Sequence, residues 1–340
     1  MKAVGYRSPA PLSDEASLVD IELPTPLASG HDLLVEVRAV SVNPVDYKVR
    51  SRVGPEGTDW KVIGYDAAGM VVAVGSDVTL FHAGDEVFYA GSIARSGTNA
   101  QYHLVDERIV GRKPCTLDWA EAAALPLTTL TAWEAYFDRL QVGRAVPGAA
   151  SAILIVGGAG GVGSIAIQIA RQRTDLTVIA TASRPETKEW VASLGAHHVI
   201  DHTRPLAAEV AALGLGAPAF VLSTTHTDAH LAEIAELIAP QGRFAFIDQP
   251  ATFDIMLFKT KSVSVHHELM FTRSLFGTPD MAEQGRLLTE AAQLVDAGKI
   301  RTTLTKRLSP INAANLKVAH ALVESGTAKG KVVLEGWGEA

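Results

Sequence analysis

A glycine-rich stretch in the middle of the chain has the residue types and spacing of a phosphate-binding loop. In ILIVGGAGGVGSIAIQIA, Gly158, Gly160 and Gly163 form a G-x-G-x-x-G pattern between an apolar run and a run with helical spacing. Glycines there allow a tight turn and close backbone approach, and the helix N-terminus offers free N–H groups to a pyrophosphate. We predict that these residues, with Gly161 and Val162, bind a dinucleotide. A glycine-rich loop without a ligand is the alternative.

The end of the next predicted strand indicates which dinucleotide is bound. The run VIATA leads to Ser183 and Arg184, Lys188 lies one turn into the following helix, and no acidic residue stands at the strand end. An acid there would bind the ribose hydroxyls of NAD, whereas a hydroxyl and two cations suit the 2′-phosphate of NADPH. The sequence therefore favours NADPH, unless Arg184 and Lys188 are only a solvated helix start.

The composition indicates a globular protein that acts on small molecules. The 340 residues are 47% hydrophobic and carry a formal net charge of −7. This length suits two domains, and this charge argues against nucleic acid or an anionic membrane as the partner. Cys115 is the only cysteine, which excludes an internal disulfide and a cysteine-rich zinc lobe. With no run resembling a signal peptide or a membrane helix, we expect a cytoplasmic protein.

The elements that must position these residues change character along the chain. Up to about residue 125, short β-branched runs separated by Gly, Pro and Asp predict a small β-rich domain. Strands and helices then alternate from SAILIVGG to GRFAFID, which predicts βαβ crossovers and a doubly wound parallel sheet. From about residue 260 the chain adds the strand SVSVHHELM, a long amphipathic helix and the strand KVVLEG.

Several of these motifs together resemble one superfamily over essentially the whole chain. They are the frame of Gly64, Gly69 and Gly75 in GYDAAGMVVAVG, the turn HAGDEVF, the loop GAGGVGS and the terminus GKVVLEG. They are similar to those of the medium-chain dehydrogenase/reductases, above all to the zinc-free quinone oxidoreductase branch. Bacterial members of that branch are often named zinc-binding alcohol dehydrogenases. The resemblance implies an α/β fold with a GroES-like β-rich domain, a Rossmann domain and a ligand cleft between them.

The resemblance also implies a domain order and an assembly. We place the GroES-like domain at residues 1–125, the Rossmann domain at 126–260 and a C-terminal segment at 261–340 that partly returns to the first domain. The run KSVSVHHELM in that segment is typical of an edge strand, and an exposed apolar edge is a liability unless it is paired. Since family members commonly join two Rossmann sheets edge to edge, we expect a homodimer with twofold symmetry.

The positions of the family's metal ligands predict an enzyme without zinc. Where the zinc enzymes supply a cysteine and a histidine, this chain has Asn43 and Tyr65, and neither replaces those ligands in the usual way. Asp66 is a possible oxygen ligand, but one carboxylate does not make a site. His266 and His267 are successive residues of a predicted strand, so their side chains point to opposite faces.

The same two segments carry the candidate catalytic residues that the resemblance implies. Asn43 corresponds to a residue beside the nicotinamide and the substrate, and the Tyr65 hydroxyl is a donor for a substrate carbonyl, although a purely steric role stays open. Asp46 is either catalytic or part of a turn. Tyr47 is either a pocket wall or a packing residue, and Phe271 either covers the substrate or anchors an apolar loop.

Further cofactor contacts are implied near the ends of the Rossmann strands, where a doubly wound sheet binds its ligand. Threonine-rich loops are common in any protein, so ordinary loop composition is the alternative for each. The residues are Thr129, Ser223, Thr225, Phe246 and Asp248.

The expected reaction follows from the missing metal. Simple alcohol oxidation loses its usual electrophile without an ion to polarise the oxygen. Quinones and α,β-unsaturated carbonyls instead accept hydride at carbon, while charge spreads to an oxygen that Tyr65 or Asn43 can stabilise. We therefore expect an NADPH-dependent, zinc-independent reductase of quinones or activated C=C bonds. A specific enone or alkenal reductase with little quinone activity and a non-catalytic NADPH-binding protein are the alternatives.

Overall fold

The computed structural model describes residues 1–55 and 59–338, and the chain divides into two compact units. The first unit contains Met1–Leu130 and the chain from Phe271 onward, and the second is Thr131–Met270. The first carries antiparallel sheets and the second a parallel sheet with helices, so the predicted α/β class is confirmed. The first boundary lies five residues beyond position 125, and the second lies ten residues beyond position 260. No described helix is both long and apolar enough to cross a membrane.

The strands of the described residues are, in chain order, β1 (Lys2–Tyr6), β2 (Val19–Glu22), β3 (Asp32–Val42), β4 (Lys61–Val62), β5 (Asp66–Val74), β6 (Glu86–Tyr89), β7 (Tyr102–Asp106), β8 (Val110–Arg112), β9 (Ala150–Val156), β10 (Thr177–Thr181), β11 (His198–Ile200), β12 (Pro218–Ser223), β13 (Arg243–Phe246), β14 (Ser264–His267), β15 (Leu304–Leu308) and β16 (Lys331–Glu335).

The α-helices of the described residues are α1 (Pro44–Arg52), α2 (Trp119–Ala123), α3 (Pro126–Glu134), α4 (Gly161–Arg173), α5 (Pro185–Ser193), α6 (Leu206–Ala212), α7 (Thr227–Leu237), α8 (Thr272–Phe276), α9 (Glu283–Asp296) and α10 (Ala313–Glu324). A π-helical segment at Ala135–Arg139 continues α3, and 3-10 segments lie at Glu15–Ser17, Glu107–Ile109 and Ile255–Lys261.

Strand β3 organises the first unit. It pairs with β5, β7 and β16, all antiparallel, and the sheet order is β15-β16-β3-β5-β6-β8 with β7 alongside β3. A separate sheet of order β2-β1-β4 flanks it. Apolar side chains of β3, including Val35 and Val37, are buried in a common core with Val71, Val105 and Leu334. This packing fixes the register in which the ends of β3, β5 and β16 meet.

The second unit is a doubly wound sheet of order β11-β10-β9-β12-β13-β14 with every pair parallel. Its core is continuous across the sheet, because strands that are buried on both faces carry apolar runs rather than alternating ones. Strand β14, which contains part of SVSVHHELM, lies at one edge of the sheet. The chain reverses its direction of winding at β9, the usual place for a ligand in such a sheet.

Candidate functional site

The glycine-rich loop joins β9 to α4 in the second unit. Gly157 takes a left-handed conformation (φ +81°), and a Cβ there would lie 2.4 Å from the Thr224 Oγ1. A Cβ on Gly163 would lie 2.3 Å from the Gly157 carbonyl oxygen, so this glycine lets the helix pack against the loop. Gly157 precedes the pattern read from the sequence and makes the turn itself. Gly158, the first glycine of that pattern, packs against β10.

The loop fits the pyrophosphate of a dinucleotide. A Cβ on Gly160 would meet only the Gly157 carbonyl oxygen, at 3.6 Å, so protein packing does not explain this glycine and the space above it is open. No side chain caps the N-terminus of α4. The first-turn N–H groups of Gly161, Val162 and Gly163 have no intrahelical acceptor, because such acceptors begin one turn later. Backbone donors and the helix dipole are thus available to an anion.

The predicted phosphate-reading residues follow β10 and begin α5. Arg184 is exposed, and its Nε lies 3.1 Å from the Glu186 carboxylate. Lys188 donates to the Asp201 Oδ2 at 2.9 Å, and this hydrogen bond holds the pKa of Asp201 below its usual range. The carboxylate of Asp201, which follows β11, thus already pairs with one of the two predicted cations. Ser183 lies beside them, half-buried at the end of the strand.

The other predicted cofactor residues of the second unit form a hydrogen-bonded group at the start of α7. Asp248 accepts from the Thr227 backbone N–H at 2.9 Å and from its hydroxyl at 2.5 Å, and the Ser223 hydroxyl oxygen lies 2.8 Å from that of Thr227. The Thr225 hydroxyl contacts the His226 ring nitrogen at 2.8 Å. These side chains hold the loop after β12 against the loop after β13.

Phe246 ends β13 within a group of stacked rings. Its ring lies 4.7 Å from the His267 ring and 4.9 Å from the Phe253 ring, measured between centroids, and its side chain is buried. The His267 Nε2 contacts the Asp248 carbonyl oxygen at 3.1 Å. The neighbouring His266 has different surroundings. Burial, and then the charges of Arg139 and Arg243, lower the pKa of its imidazole.

In the first unit, three strand ends bring polar residues together. Val42, the last residue of β3, pairs with Val332 of β16, and the preceding residue, Ser41, pairs with Asp66 at the start of β5. Asn43 follows β3 directly and Lys331 begins β16. The antiparallel registers therefore place Asn43, Asp66 and Lys331 side by side.

Lys331 is the centre of a buried network, and its side chain is only 3% exposed. Its Nζ donates to the Val42 carbonyl oxygen at 3.0 Å and to the Asn43 Oδ1, and lies 3.2 Å from the Asp66 Oδ2. The Asn43 Nδ2 donates to the same Asp66 oxygen at 2.8 Å, and the Leu127 N–H donates to the other at 2.7 Å. Burial raises the pKa of Asp66, while Lys331 and these donors oppose the shift. Lys331 lies in the GKVVLEG motif, but no local pattern pointed to its role in this network.

Asp46 lies beside this network on α1 and is buried. Its Oδ2 accepts from the Asn43 N–H at 2.6 Å, whereas its Oδ1 has no hydrogen-bond partner. Burial raises the pKa of Asp46 to about 7, against the lowering effects of the Asn43 N–H and of Lys331. The predicted turn role is present, since this contact forms a capping box, and the same carboxyl also holds a proton up to neutral pH.

Tyr65 precedes Asp66 and is almost fully buried, yet its hydroxyl makes no hydrogen bond to a described residue. Burial and, secondly, the charge of Asp46 raise the pKa of the Tyr65 hydroxyl, so it stays protonated. The Phe271 ring packs edge-on against the Tyr65 ring, with 5.2 Å between centroids. The hydroxyl is therefore a protonated donor with no partner within the described part of the chain.

Two further predicted residues, Thr129 and Tyr47, belong to the first unit. Thr129, on α3, is buried, and its hydroxyl has no hydrogen-bond partner among the described residues. Tyr47 on α1 is half-buried, and burial raises the pKa of its hydroxyl. Of the predicted residues of the first unit, Asn43 is part of the Lys331 network, and Asp46 and Tyr65 lie beside it.

Two buried carboxyl groups of the second unit were not anticipated. Glu268 follows β14 and binds the Arg139 Nε at 2.7 Å, while Glu134 lies at the end of α3. Burial, and then the neighbouring charge of Glu134, raise the pKa of Glu268. Residues so far apart in sequence carry no common pattern that could have revealed the pair.

Comparisons with known proteins match the whole chain. The family model for the alcohol dehydrogenase GroES-like domain matches residues 29–124, and that for zinc-binding dehydrogenase matches residues 194–334. A crystal structure from Rhizobium etli CFN 42, provisionally described as a zinc-dependent alcohol dehydrogenase protein, is 79% identical with a TM-score of 0.98. The match covers 100% of this chain and 99% of the Rhizobium chain.

Two curated relatives extend these matches. A zinc-type alcohol dehydrogenase-like protein of Staphylococcus aureus (strain MSSA476) is 39% identical over 340 residues, covering 98% of this chain and 99% of the relative. The 2-methylene-furan-3-one reductase of Solanum lycopersicum is 40% identical over 184 residues, which are 51% of this chain and 45% of the relative. Despite the zinc in several of these names, no group of three His, Cys, Asp or Glu side chains placed to hold a metal occurs among the described residues.

The environment of Asp46 predicts a pH dependence of stability. Because its pKa is about 7 in the folded protein, above the ordinary value of 3.8, the protonated form favours folding. That contribution is complete below pH 3.8 and is lost as the pH rises through 7. Denaturant unfolding of Asp46→Asn, measured from pH 4 to pH 8, should show a smaller decline in the free energy of unfolding than the wild type shows. Asp14→Asn, an exposed cap, serves as the control, and parallel wild-type and Asp46→Asn profiles would contradict the assignment.

Proposed function

The chain belongs to the medium-chain dehydrogenase/reductase superfamily, and from this premise we propose that it is an NADPH-dependent, zinc-independent reductase of quinones or α,β-unsaturated carbonyls. Membership makes it an oxidoreductase with a nicotinamide-dinucleotide site. The observation that carries the finer proposal is the buried Lys331 network, in which the chain's own cation binds the oxygens around the position of the family's metal ligands.

The network leaves no ligand set for zinc at these positions. The Asn43 side chain accepts from Lys331 and donates to Asp66, so both of its polar atoms are used. Both oxygens of Asp66 are bound as well. Zinc prefers thiolate, imidazole or carboxylate ligands. Of the two carboxyl groups here, Asp66 is engaged by Lys331, Asn43 and Leu127, and only one oxygen of Asp46 has no partner in the described chain.

The proposed hydride acceptor follows from a hydrogen-bond donor beside the Lys331 network that has no partner in the described chain, the Tyr65 hydroxyl. A bound nicotinamide dinucleotide would supply the hydride. Reduction of a conjugated carbonyl or quinone places negative charge on an oxygen, and the Tyr65 hydroxyl is a protonated donor without a protein partner. In a dry environment such a donor stabilises developing charge strongly. The Phe271 ring packs against the Tyr65 ring, which is itself buried. The name of the tomato relative, a reductase of a conjugated ketone, supports this class of acceptor.

The other residues of the first unit keep this donor in place. Asn43 and Lys331 neutralise Asp66, and the Asp46 carboxyl, neutral below about pH 7, limits the negative charge beside Tyr65. We assign them a positioning role. Thr129, with its unpartnered buried hydroxyl, remains the proposed contact to the cofactor.

NADPH is the proposed cofactor because a hydroxyl group and a cation, those of Ser183 and Arg184, follow the C-terminal end of β10. The glycine loop would hold the pyrophosphate, and Ser183 and Arg184 the 2′-phosphate. The ion pair of Arg184 with Glu186 is largely exposed and therefore weak, so a phosphate can displace it. Lys188 contributes less than the sequence predicted, because Asp201 holds its ammonium group.

We also propose a twofold homodimer. Strand β14 is an edge of the second unit's sheet, and a second copy paired with it would remove an exposed row of backbone donors and acceptors. A monomeric mass in light scattering at micromolar concentration would contradict this.

The proposed function is tested by turnover and metal content together. The purified protein should contain substoichiometric zinc by elemental analysis. It should oxidise NADPH, followed at 340 nm, with quinones or enones but not with simple ketones, and a chelator should leave the rate unchanged. Stoichiometric zinc whose removal stops turnover would refute zinc independence, whereas binding of NADPH without any turnover would support a non-catalytic role.

Replacing the proposed donor should affect the acceptors unequally. Tyr65→Phe should preserve folding and NADPH affinity and lower turnover by at most about a hundred- to a thousandfold, the cost of one oxyanion donor. An enone should lose more than a quinone, because its enolate needs more stabilisation. The rates of both substrates with wild type and variant give the ratio, and Tyr102→Phe, on β7, is the matched control. Unchanged turnover on both would reduce Tyr65 to a pocket wall.

The cofactor preference should depend on Arg184. Arg184→Ala should weaken NADPH binding by about 1–3 kcal/mol, the size of a charged hydrogen bond, and leave NADH binding nearly unchanged. Calorimetric titration with both cofactors measures this, with Arg204→Ala as a control for loss of an exposed cation from the same unit. An equal loss for both cofactors would show that Arg184 does not read the phosphate.

A further inference from the structure

A cavity lies at the amino-terminal end of the second unit's parallel strands, away from the glycine loop. Strands β13 and β14 begin there, whereas the glycine loop follows the carboxyl end of β9. The cavity has a volume of about 650 Å³, and its polar lining consists of Arg144, Gln241, Arg243, Ser262 and Ser264. The proposed reaction uses none of these residues.

The lining side chains have unused hydrogen-bond donors. Arg243 donates through Nη1 alone, to the carbonyl oxygens of Leu140, Gln141 and Arg144 at 2.9–3.0 Å. Its Nε and Nη2, the edge that grips an oxyanion in bidentate fashion, make no hydrogen bond within the described residues, nor does any group of the Arg144 side chain. The same holds for the hydroxyls of Ser262 and Ser264.

The cavity is positively charged without a counter-ion. Neither Arg144 nor Arg243 forms an ion pair with a carboxylate in the described chain, although the protein as a whole carries a net charge of −7. The two guanidinium groups are close enough for Arg144, after burial, to lower the pKa of Arg243. Two like charges held together in this way are stabilised by an anion.

The backbone around the cavity is also unusual. Among the described residues, four other than glycine have positive φ, and three of them lie here: Gln141, Gln241 and Ser262. Such conformations cost free energy and collect at ligand sites. Here they turn the ends of three segments so that Arg144, Arg243 and Ser264 face one space.

We propose that this cavity binds a polyvalent oxyanion, of which phosphate is the simplest. Arg243 would bind it through the free Nε and Nη2 edge, Arg144 would supply the second charge, and the serine hydroxyls would complete the donors. Free phosphate and a phosphate monoester share this chemistry, and a comparison of the two ligands identifies the source.

The test is a calorimetric titration of the full-length protein with inorganic phosphate and with glycerol 3-phosphate at constant ionic strength. Arg144→Gln removes one charge but no contact that holds the fold, and it should weaken binding about tenfold, the effect of one charged hydrogen-bond donor. Gln241→Glu places a carboxylate in the cavity without changing β14 and should abolish binding at this site. Arg204→Gln, which removes an exposed cation elsewhere in the same unit, should change the affinity less than twofold.

The outcomes separate this site from the glycine loop, which also attracts phosphate. Binding that Arg144→Gln and Arg204→Gln weaken equally indicates an adventitious ion only and overturns the proposal. Binding that survives Gln241→Glu intact belongs to another site and overturns the proposal as well, as does the absence of binding to the wild type. NADPH affinity should be unchanged in Arg144→Gln, so the result is independent of the proposed reaction.

Discussion

The burial of the Lys331 ammonium group is the constraint on which the first unit's candidate site depends. Removing this cation and the Asp66 carboxylate from water is expensive, and the protein recovers the cost only because each charged atom has several partners. Removal of either partner would leave the other buried and unpaired. The three strand ends must therefore meet in one register, and Asn43 is held between the two charges. The chemistry of Tyr65 and Asp46 follows from this fixed arrangement.

The two units solve the problem of binding charge in different ways. In the first unit, the side chains of the Lys331 network satisfy one another, while the Tyr65 hydroxyl and one oxygen of the Asp46 carboxyl beside it have no partner among the described residues. In the second unit, the backbone itself is left unsatisfied at the N-terminus of α4. Backbone donors serve an anion of fixed charge, whereas a neutral hydroxyl serves an oxygen whose charge appears only during reaction.

The sequence predicted what local patterns encode. Alternating strands and helices specified the doubly wound sheet, and the glycine spacing specified the loop at its centre, because both depend on neighbouring residues. Partners distant in sequence escaped prediction. Lys331 joins Asn43 only through the pairing of β16 with β3, and Asp201 joins Lys188 only because β11 lies beside β10. Lys331 belongs to the GKVVLEG motif, but a lysine at the start of a strand does not indicate which side chains it will contact.

The distance between these partners has a consequence for how the protein is made. Asn43 and Lys331 are 288 residues apart, and the chain of the whole second unit is synthesised between them. During synthesis, Asp66 has no cation to neutralise it until the last described strand leaves the ribosome. The second unit, whose chain is continuous, can fold while the first unit waits for its final strand. Contacts of such long range are slow to form, so β16 docks late in the folding of the first unit, and the Lys331 network beside Tyr65 forms only after β16 has been synthesised.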